Sequence, residues 1–165
     1  MKRDEFSAVA LSLGSNVGDS ETTLKDCLLE LSDVLVDMKV SNFYRTQPVN
    51  MRYQPDFINA AVCGRTRLSP HGLLKRVNFI EKKFGRVREI KFGPRTLDID
   101  IIFFGDMIIE TNSLKIPHPE LGKRLFVLIP LAEIAPDVRC PKRNKKVGEI
   151  LDDARRNLKD IVEKI

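Results

Sequence analysis

The segment from residue 93 to residue 105, GPRTLDIDIIFFG, most constrains the fold, because it is apolar enough for a core strand yet contains two aspartates. Side chains alternate across a β-strand, so Asp98 and Asp100 share one face while Ile99 and Ile101 share the other. At roughly 6–7 Å and an effective dielectric near 20, two carboxylates repel each other by about 2–3 kcal/mol. A divalent cation between them would offset this repulsion.

Basic residues surround the two aspartates in the sequence. Arg95 precedes Asp98 by three residues, and Arg86, Arg88 and Lys91 lie in the glycine-bracketed segment 85–93. Carboxylates hold Mg²⁺ through a few oxygens, and arginines bind phosphate oxygens by bidentate hydrogen bonds, so the mixture predicts a metal and phosphate site. The alternatives are a solvent-facing polar strand edge for the aspartates, and a solvated or nucleic-acid-binding surface for the basic loop.

The composition favours a soluble, single-domain protein. A chain of 165 residues, 42% hydrophobic and 31% charged, is long enough for one compact core. The net charge of +5 agrees with anionic partners but does not separate nucleotides from nucleic acids. The three cysteines lack CxxC spacing, so we expect reduced thiols and a cytoplasmic location. The apolar run at residues 101–104 is far too short to span a membrane, and no membrane partner is expected.

Hydrophobic periodicity predicts the order βαββαββ followed by helices. The predicted strands span residues 7–13, 38–46, 56–66 and 97–104, with a hairpin turn at 105–106. Helices are predicted from Leu24 to Leu35, from the N-cap Ser69 to Phe84, in short pieces after residue 117 with Pro130 opening one of them, and from residue 148 to Val162. This order predicts an α+β fold of ferredoxin-like type, a sandwich of a mostly antiparallel sheet flanked by helices.

Two further sets of residues are chemically suggestive. Phe57 and Asn59 share a face of the predicted strand 56–66, where an aromatic ring and a carboxamide could bind a planar heterocycle. The same pair is also explained by packing and local capping. His118 lies between two prolines that restrict its backbone, so its imidazole either donates to a phosphate or completes a turn. Arg124 and Phe126 follow closely, and they could be ordinary helix residues.

These residues belong to motifs that together resemble the 6-hydroxymethyl-7,8-dihydropterin pyrophosphokinase family. The similarity runs through LSLGSNVGD, FYRTQPV, QPDFINAAV, GRVREIKFGPRTLDIDIIFFGD and IPHPELGKRLFVLIPLAEIAPD, and it covers roughly residues 8 to 138. The resemblance implies a ferredoxin-like fold. It also implies transfer of pyrophosphate from ATP to the hydroxymethyl group of the pterin, with release of AMP, in folate biosynthesis.

The resemblance also implies roles for individual residues. Two Mg²⁺ ions would bind between Asp98 and Asp100, and Arg86 and Arg95 would be catalytic. The pterin would be bound by Thr46, Val49, Phe57, Asn59 and Phe126. The ATP-binding residues would be Leu74, Asn78, Arg86, Arg88, Arg95, Ile101, Lys115, His118 and Arg124. The loop at 85–95 would close over the substrates and exclude water.

The sequence departs from the family pattern at three places. Many relatives carry Arg-Trp where this chain has Lys91-Phe92, tyrosine where it has Phe57, and glycine where it has Asn50. Loss of the tyrosine hydroxyl should spare stacking, whereas the other two changes bear on the loops at 85–95 and 47–55. None of them touches the aspartate pair.

The expected whole is one pyrophosphokinase domain over residues 1–165, a monomer that acts on small molecules and binds no nucleic acid. Two rivals stay open from the residues alone. A palm-type nucleotidyltransferase or cyclase would use the same pair of aspartates. An RNA-binding module would use a similar sheet and basic loops, although the predicted strands lack interleaved surface aromatics.

Overall fold

A central antiparallel sheet organises the chain, which is described by a computed structural model over residues 5–48, 53–86 and 93–165. The strands are β1 (Ser7–Ser15), β2 (Val36–Val40), β3 (Tyr44–Thr46), β4 (Phe57–Thr66), β5 (Asp98–Phe104), β6 (Ile109–Glu110), β7 (Lys115–Ile116), β8 (Arg139–Cys140), β9 (Lys145–Lys146) and β10 (Val162–Lys164). The helices are α1 (Ser20–Leu31), α2 (Pro70–Lys83), α3 (Leu125–Ile134) and α4 (Val147–Asn157), and a 3₁₀ turn covers Leu121–Lys123.

The six strands of the sheet pair in the order β10-β3-β4-β1-β5, and β2 pairs with the far end of β4. Every pair is antiparallel. Strands β6 and β7 form a separate ladder, as do β8 and β9. Among the described strands β5 pairs only with β1, so the aspartate strand lies at an edge of the sheet.

The two faces of the sheet pack against different helices. Residues such as Leu11, Val62 and Ile99 cluster with α1 and α2. Residues such as Ala10 and Ala61 cluster with α3 and α4, on the side named here the α3 face. The expectation of a single compact core is therefore wrong, because the sheet divides the buried apolar residues into two clusters.

Local sequence signals account for the first two helices. The side chain of Asp19 accepts a hydrogen bond from the Thr22 amide at the start of α1. At the start of α2, Ser69 Oγ accepts one from the Gly72 amide over 3.0 Å, and Pro70 occupies the first turn. These side chains satisfy amides that have no partner inside the helix. The predicted N-cap of α2 is confirmed.

Five predicted details are wrong. Helix α1 ends at Leu31, so Leu35 lies outside it, and its apolar spacing reflects packing in the same buried cluster. The predicted strand 38–46 is interrupted at Ser41 and divides into β2 and β3. The Ser41 hydroxyl accepts a hydrogen bond from the Ala61 amide, in place of the backbone carbonyl that a continuous strand would offer. The turn at 105–106 does not make a hairpin with β5, since the Gly105 amide bonds Ala8 O and β6 pairs with β7.

Pro130 and the last helix complete these corrections. Pro130 lies inside α3 and does not open it, because the helix is surrounded by buried apolar residues and packing outweighs the missing amide. Helix α4 ends at Asn157, and Val162 belongs to β10, which pairs with β3. Ile161 is 61% exposed instead of lying on a packed helical face. Over the described ranges, the helices are all too short or too polar to cross a bilayer.

Candidate active site

Two cavities meet at the aspartate pair. The first, named here the sheet cavity, has a volume of about 410 Å³ and is lined by residues of β1, β3, β4 and β5 together with Arg124 and Phe126. The second, the edge cavity, has a volume of about 420 Å³ and lies between α2, the outer edge of β5 and the segment 112–119. Asp98, Asp100, Arg95 and Arg124 line both cavities. The two acids therefore form a wall common to the two spaces.

Strand alternation places a row of polar residues in the wall of the sheet cavity. Gly14 of β1 lies between Asn59 of β4 and Asp98 of β5, and Ser12 lies opposite Asp100. All of these residues belong to the α3 face, where the next positions along the strands are apolar and lie under α3. One end of this face thus presents polar groups, while the other end belongs to the apolar core.

Asp98 is paired with two guanidinium groups. Arg86 Nη1 donates to Asp98 Oδ1 over 2.7 Å, and Arg95 Nη1 donates to Asp98 Oδ2 over 2.9 Å. Only 19% of the Asp98 side chain is exposed. These two hydrogen bonds hold the Asp98 carboxylate in one orientation.

Asp100 has weaker partners than Asp98. Arg124 Nη1 lies 3.7 Å from Asp100 Oδ2, and His118 Nε2 lies 3.9 Å from Asp100 Oδ1. Burial, with the nearby charge of Asp98, raises the pKa of Asp100 to about 7, although Arg124 opposes the shift. Two acids of the same strand face therefore differ, one saturated by arginines and the other short of positive charge.

His118 directs one ring nitrogen towards Asp100. Its Nδ1 accepts a hydrogen bond from the Glu120 amide over 3.1 Å, and its own amide donates to Ile102 O over 3.1 Å. Burial and the charge of Arg124 lower the pKa of His118. The neutral ring then carries its proton on Nε2, which is available as a donor in the edge cavity.

Glu81 of α2 joins this network from beneath. Its Oε1 accepts the Ile99 amide over 3.0 Å at the outer edge of β5, and its Oε2 accepts from Arg86 Nη1 over 2.5 Å. The side chain is 5% exposed, and burial raises its pKa despite these two donors. Glu81 therefore anchors both the backbone between the two aspartates and one of the arginines that bind Asp98.

The donor set suits a magnesium site that is completed by substrate. In the described part of the chain, no group of three or more His, Cys, Asp or Glu side chains converges as a closed cage would require. Mg²⁺ is commonly bound by one or two carboxylates together with waters and phosphate oxygens. The pair Asp98 and Asp100, with Asp100 short of positive charge, fits that requirement.

Comparison with known proteins decides the family. The family model described as 7,8-dihydro-6-hydroxymethylpterin-pyrophosphokinase (HPPK) matches residues 10–136. The chain belongs to this family. Membership favours the pyrophosphokinase over the nucleotidyltransferase and the RNA-binding module that the residues alone left open.

Individual relatives agree with the pyrophosphokinase assignment. The chain is 43% identical over 144 residues to the 2-amino-4-hydroxy-6-hydroxymethyldihydropteridine pyrophosphokinase of Synechocystis, covering 86% of this chain and 73% of the relative. It is 46% identical over 130 residues to the Bacillus subtilis enzyme of the same name, covering 78% of each. It is also 41% identical over 131 residues to a folate synthesis bifunctional protein of Arabidopsis thaliana, covering 78% of this chain and 27% of that protein.

Solved structures support the fold of the pyrophosphokinase. A triple mutant of the Plasmodium falciparum HPPK-DHPS protein with pteroate matches with a TM-score of 0.71 at 16% identity, over 90% of this chain and 43% of that chain. The wild-type protein with pteroate gives 0.73 at 15% identity, over 93% and 43%. The chain thus spans less than half the length of these proteins. The α+β ferredoxin-like prediction is confirmed.

The structure places the predicted pyrophosphokinase residues in two groups. Four of the predicted pterin-binding residues line the sheet cavity: Thr46, Phe57, Asn59 and Phe126. The predicted ATP-binding residues that are described line the edge cavity: Leu74, Asn78, Arg86, Arg95, Ile101, Lys115, His118 and Arg124. Val49 and Arg88 lie outside the described residues, as do Asn50 and the pair Lys91 and Phe92. The two groups meet only at the wall that contains the aspartates.

Inside the sheet cavity, Asn59 is oriented by a neighbouring strand. Its Nδ2 donates to Thr46 Oγ1 over 2.8 Å, and both residues are buried. Asn59 Oδ1 lies towards Gly14, where a Cβ atom would be 2.9 Å away. The carboxamide therefore has a defined orientation before any ligand enters.

Sequence reasoning did not identify Gly14 and Glu81, which line the two cavities, or Asn16, which bonds Arg95. Asn16 is 2% exposed, and its Nδ2 donates to Gln54 Oε1 and to Pro55 O over 2.9 and 3.0 Å. It also makes two hydrogen bonds with the Arg95 backbone, since the Arg95 amide donates to the side-chain oxygen Asn16 Oδ1 and the Asn16 amide donates to Arg95 O. The motif GSN carried the only local signal, and a strand-to-helix turn explained it adequately.

Proposed function

We propose that this chain transfers the pyrophosphoryl group of ATP to the hydroxymethyl group of 6-hydroxymethyl-7,8-dihydropterin and releases AMP, as a step of folate biosynthesis. The observation that carries the proposal is the wall formed by Asp98 and Asp100 between the two cavities. The edge cavity takes ATP and the sheet cavity takes the pterin. The reacting atoms then meet beside the two acids.

Asp98 and Asp100 are the residues that would hold two Mg²⁺ ions, together with oxygens of the ATP phosphates. When bound, these ions would neutralise charge on the transferred group and on the leaving group. Asp98 presents its carboxylate already aligned by Arg86 and Arg95. Asp100 has longer contacts with its neighbours in the described part of the chain, since Arg124 lies at 3.7 Å and the neutral His118 at 3.9 Å, so it has the greater need for added positive charge.

The arginines and His118 bind and orient the phosphates of ATP. Arg86 and Arg95 lie beside Asp98 and extend into the edge cavity, so they can reach phosphate oxygens next to the acids. His118 offers its Nε2 proton from the opposite side of the same cavity. Transfer of this kind asks mainly for alignment and charge neutralisation, so the reaction needs no protein nucleophile. Arg88 and the loop at 85–95 would complete the enclosure and exclude water.

The pterin is bound by stacking and by directed hydrogen bonds. Phe57 and Phe126 line the sheet cavity and supply flat apolar surfaces for the ring. Asn59, oriented by Thr46, supplies a donor and an acceptor for the polar ring edge, with the backbone near Val49 as a further partner. Arg124 lies over the Phe126 ring at 5.7 Å, so the pterin side and the phosphate side share this residue pair.

The proposal also covers the extent of the domain, its oligomeric state and its location in the cell. We propose one pyrophosphokinase domain over residues 1–165 that works as a cytoplasmic monomer on small molecules and binds no nucleic acid. Cys27, Cys63 and Cys140 are free thiols, which agrees with a reducing compartment. Burial raises the pKa of Cys27 to about 12 and that of Cys63 to about 11, so these thiols stay protonated at neutral pH.

Product analysis tests the proposal. The protein is incubated with ATP, Mg²⁺ and 6-hydroxymethyl-7,8-dihydropterin, and the nucleotides are separated by chromatography. We expect AMP and the pterin diphosphate in equal amounts, and no turnover when EDTA removes the metal or when the pterin is omitted. Formation of ADP, cyclic nucleotide or free pyrophosphate as the stoichiometric product would contradict the assignment.

A further inference from the structure

The segment 158–165 lies outside the residues that the family model matches, yet it reaches the sheet cavity. The model match ends at residue 136. Asp160 lines the sheet cavity together with Thr46, Phe57 and Asn59. A segment remote from the family motifs thus forms part of the wall around the proposed pterin site.

Strand β10 is the second partner of β3. Val162 lies opposite Thr46, Glu163 opposite Arg45 and Lys164 opposite Tyr44. On its other side β3 pairs with the start of β4, where Thr46 lies opposite Phe57. Without β10 the three-residue strand β3 would be an open sheet edge, and short edge strands fray most readily.

The hydrogen-bond pattern identifies the residue that ties β10 to β3. The Ile165 amide donates to Phe43 O over 3.0 Å. Antiparallel ladders alternate between hydrogen-bonded and non-hydrogen-bonded pairs, so the next hydrogen-bonded pair along β10 is Glu163 with Arg45. The Glu163 side chain is exposed, so Glu163 contributes to the strand pairing through its backbone amide.

Helix α3 is connected to the same two strands. Glu133 accepts hydrogen bonds from the Asn42 amide over 2.6 Å and from Tyr44 Oη over 3.1 Å, and Lys164 Nζ lies 4.0 Å from its Oε1. Val162 packs against the apolar cluster under α3. Strand β10 therefore contacts both β3, which supplies Thr46, and α3, which supplies Phe126.

We propose that β10 is a positioning element for pterin binding: it holds Thr46, and through Thr46 the carboxamide of Asn59, in the orientation that the pterin requires. This inference rests on the proposed function, because it takes the sheet cavity as the pterin site. Residues 158–165 are absent from the lining of the edge cavity. Loss of β10 should consequently weaken pterin binding and leave ATP binding intact.

The test compares Glu163→Pro with Glu163→Ala. Proline removes the amide that pairs with Arg45, whereas alanine keeps the amide and removes only the exposed side chain. We expect the KM for the pterin to rise about tenfold in Glu163→Pro, the scale of one lost positioning contact, with the KM for ATP unchanged within about twofold. Glu163→Ala should match the wild type in both constants.

Direct binding separates positioning from a general loss of structure. Calorimetry measures the affinity of each variant for the pterin and for an unreactive ATP analogue, and thermal unfolding reports whether the variant is folded. If Glu163→Pro does not fold, a chain without residues 162–165 replaces it. An unchanged pterin affinity, or an equal loss of affinity for both ligands, would overturn the inference. Absence of AMP formation by the wild type would instead contradict the proposed function.

Discussion

Gly14 and Asn59 lie opposite each other in β1 and β4, and a Cβ atom at residue 14 would be 2.9 Å from Asn59 Oδ1. Such an approach is closer than carbon and oxygen tolerate, and the carboxamide is already fixed on its other side by Thr46. The absence of a side chain at Gly14 is thus what keeps the floor of the sheet cavity open. Gly14 and Asn59 together determine the shape of the cavity floor.

Gly14→Ala should therefore weaken pterin binding. The added methyl group displaces Asn59 from its orientation, and we expect the KM for the pterin to rise about tenfold while the KM for ATP changes little. Steady-state kinetics with each substrate varied in turn measures the split. Gly148→Ala in α4 is a matched control, because the nearest atom to its Cβ would be an ordinary 3.4 Å away. Equal effects of the two substitutions would contradict the prediction.

Asp100→Asn should stabilise the metal-free protein above neutral pH. The pKa of Asp100 is about 7 in the folded chain and about 3.9 in an unfolded one. Between these values the native state binds the proton that the unfolded state has lost, so stability falls as pH rises from about 4 to 7. An asparagine stays neutral and escapes this loss, which we estimate at about 1–3 kcal/mol for a partly exposed group.

Thermal unfolding in EDTA at pH 5 and pH 8 measures this difference. The gap between Asp100→Asn and the wild type should be small at pH 5 and reach several degrees at pH 8. Turnover with Mg²⁺ should be lost at both pH values because a proposed metal ligand is missing. A gap that is equal at the two pH values would show that the shifted pKa is not its source.

Asp98→Asn should have the opposite effect on stability. This substitution removes the charge that pairs with Arg86 and Arg95, and it leaves two partly buried guanidinium groups without it. We expect a loss of about 1–3 kcal/mol in the free energy of unfolding, measured by urea titration at pH 8. The sequence alone predicts that removing either repelling carboxylate spares the fold, so a stability equal to the wild type would favour that simpler view.

Arg95→Ala should lower kcat more than it weakens ATP binding. Its guanidinium lies beside Asp98 at the wall between the cavities, which is the proposed position of the transferred group. We expect a fall of about 100-fold or more in kcat, with a change in ATP affinity of a few fold. Arg65→Ala is the control, because Arg65 pairs with Asp37 away from both cavities. Comparable losses in kcat and affinity would make Arg95 a binding residue only.

Asn16→Ala should destabilise the folded protein, because Asn16 connects the segment before β4 to the segment before β5. It removes the acceptor for the Arg95 amide and the donors to Gln54 and Pro55. Buried backbone groups left without partners cost about 1–3 kcal/mol. Urea unfolding should show this loss, with Asn16→Asp less affected because it keeps the acceptor. Asn157→Ala on the exposed end of α4 should leave stability unchanged, and a similar loss there would contradict the argument.

The aspartate strand and the first two helices were predictable because their signals are local. Alternation alone places Asp98 and Asp100 on one face, and a serine followed by proline marks the start of α2. Glu81 could not be identified in this way, since a glutamate in the last turns of a helix is typical of a solvated face. Its burial depends on β5 lying against α2, a contact between residues 18 positions apart.

Other wrong or missing predictions also depend on contacts that a local sequence pattern does not contain. Val162 is spaced as a continued helix would require, and only its pairing with β3 makes it a strand residue. Pro130 is typical of a helix start, and the apolar surroundings of α3 outweigh that preference. Asn16 bonds a residue 79 positions away, so no pattern near it could report the contact.

The alternation of β5 also limits how this enzyme can change. Because the acids and the apolar residues occupy successive positions, inserting or deleting one residue between Leu97 and Ile101 would exchange the two faces. Carboxylates would then enter the hydrocarbon under α1 and α2, while isoleucines would line the catalytic space. This strand can therefore accept replaced side chains, but the gain or loss of one residue there would disturb the apolar packing and the acid pair together.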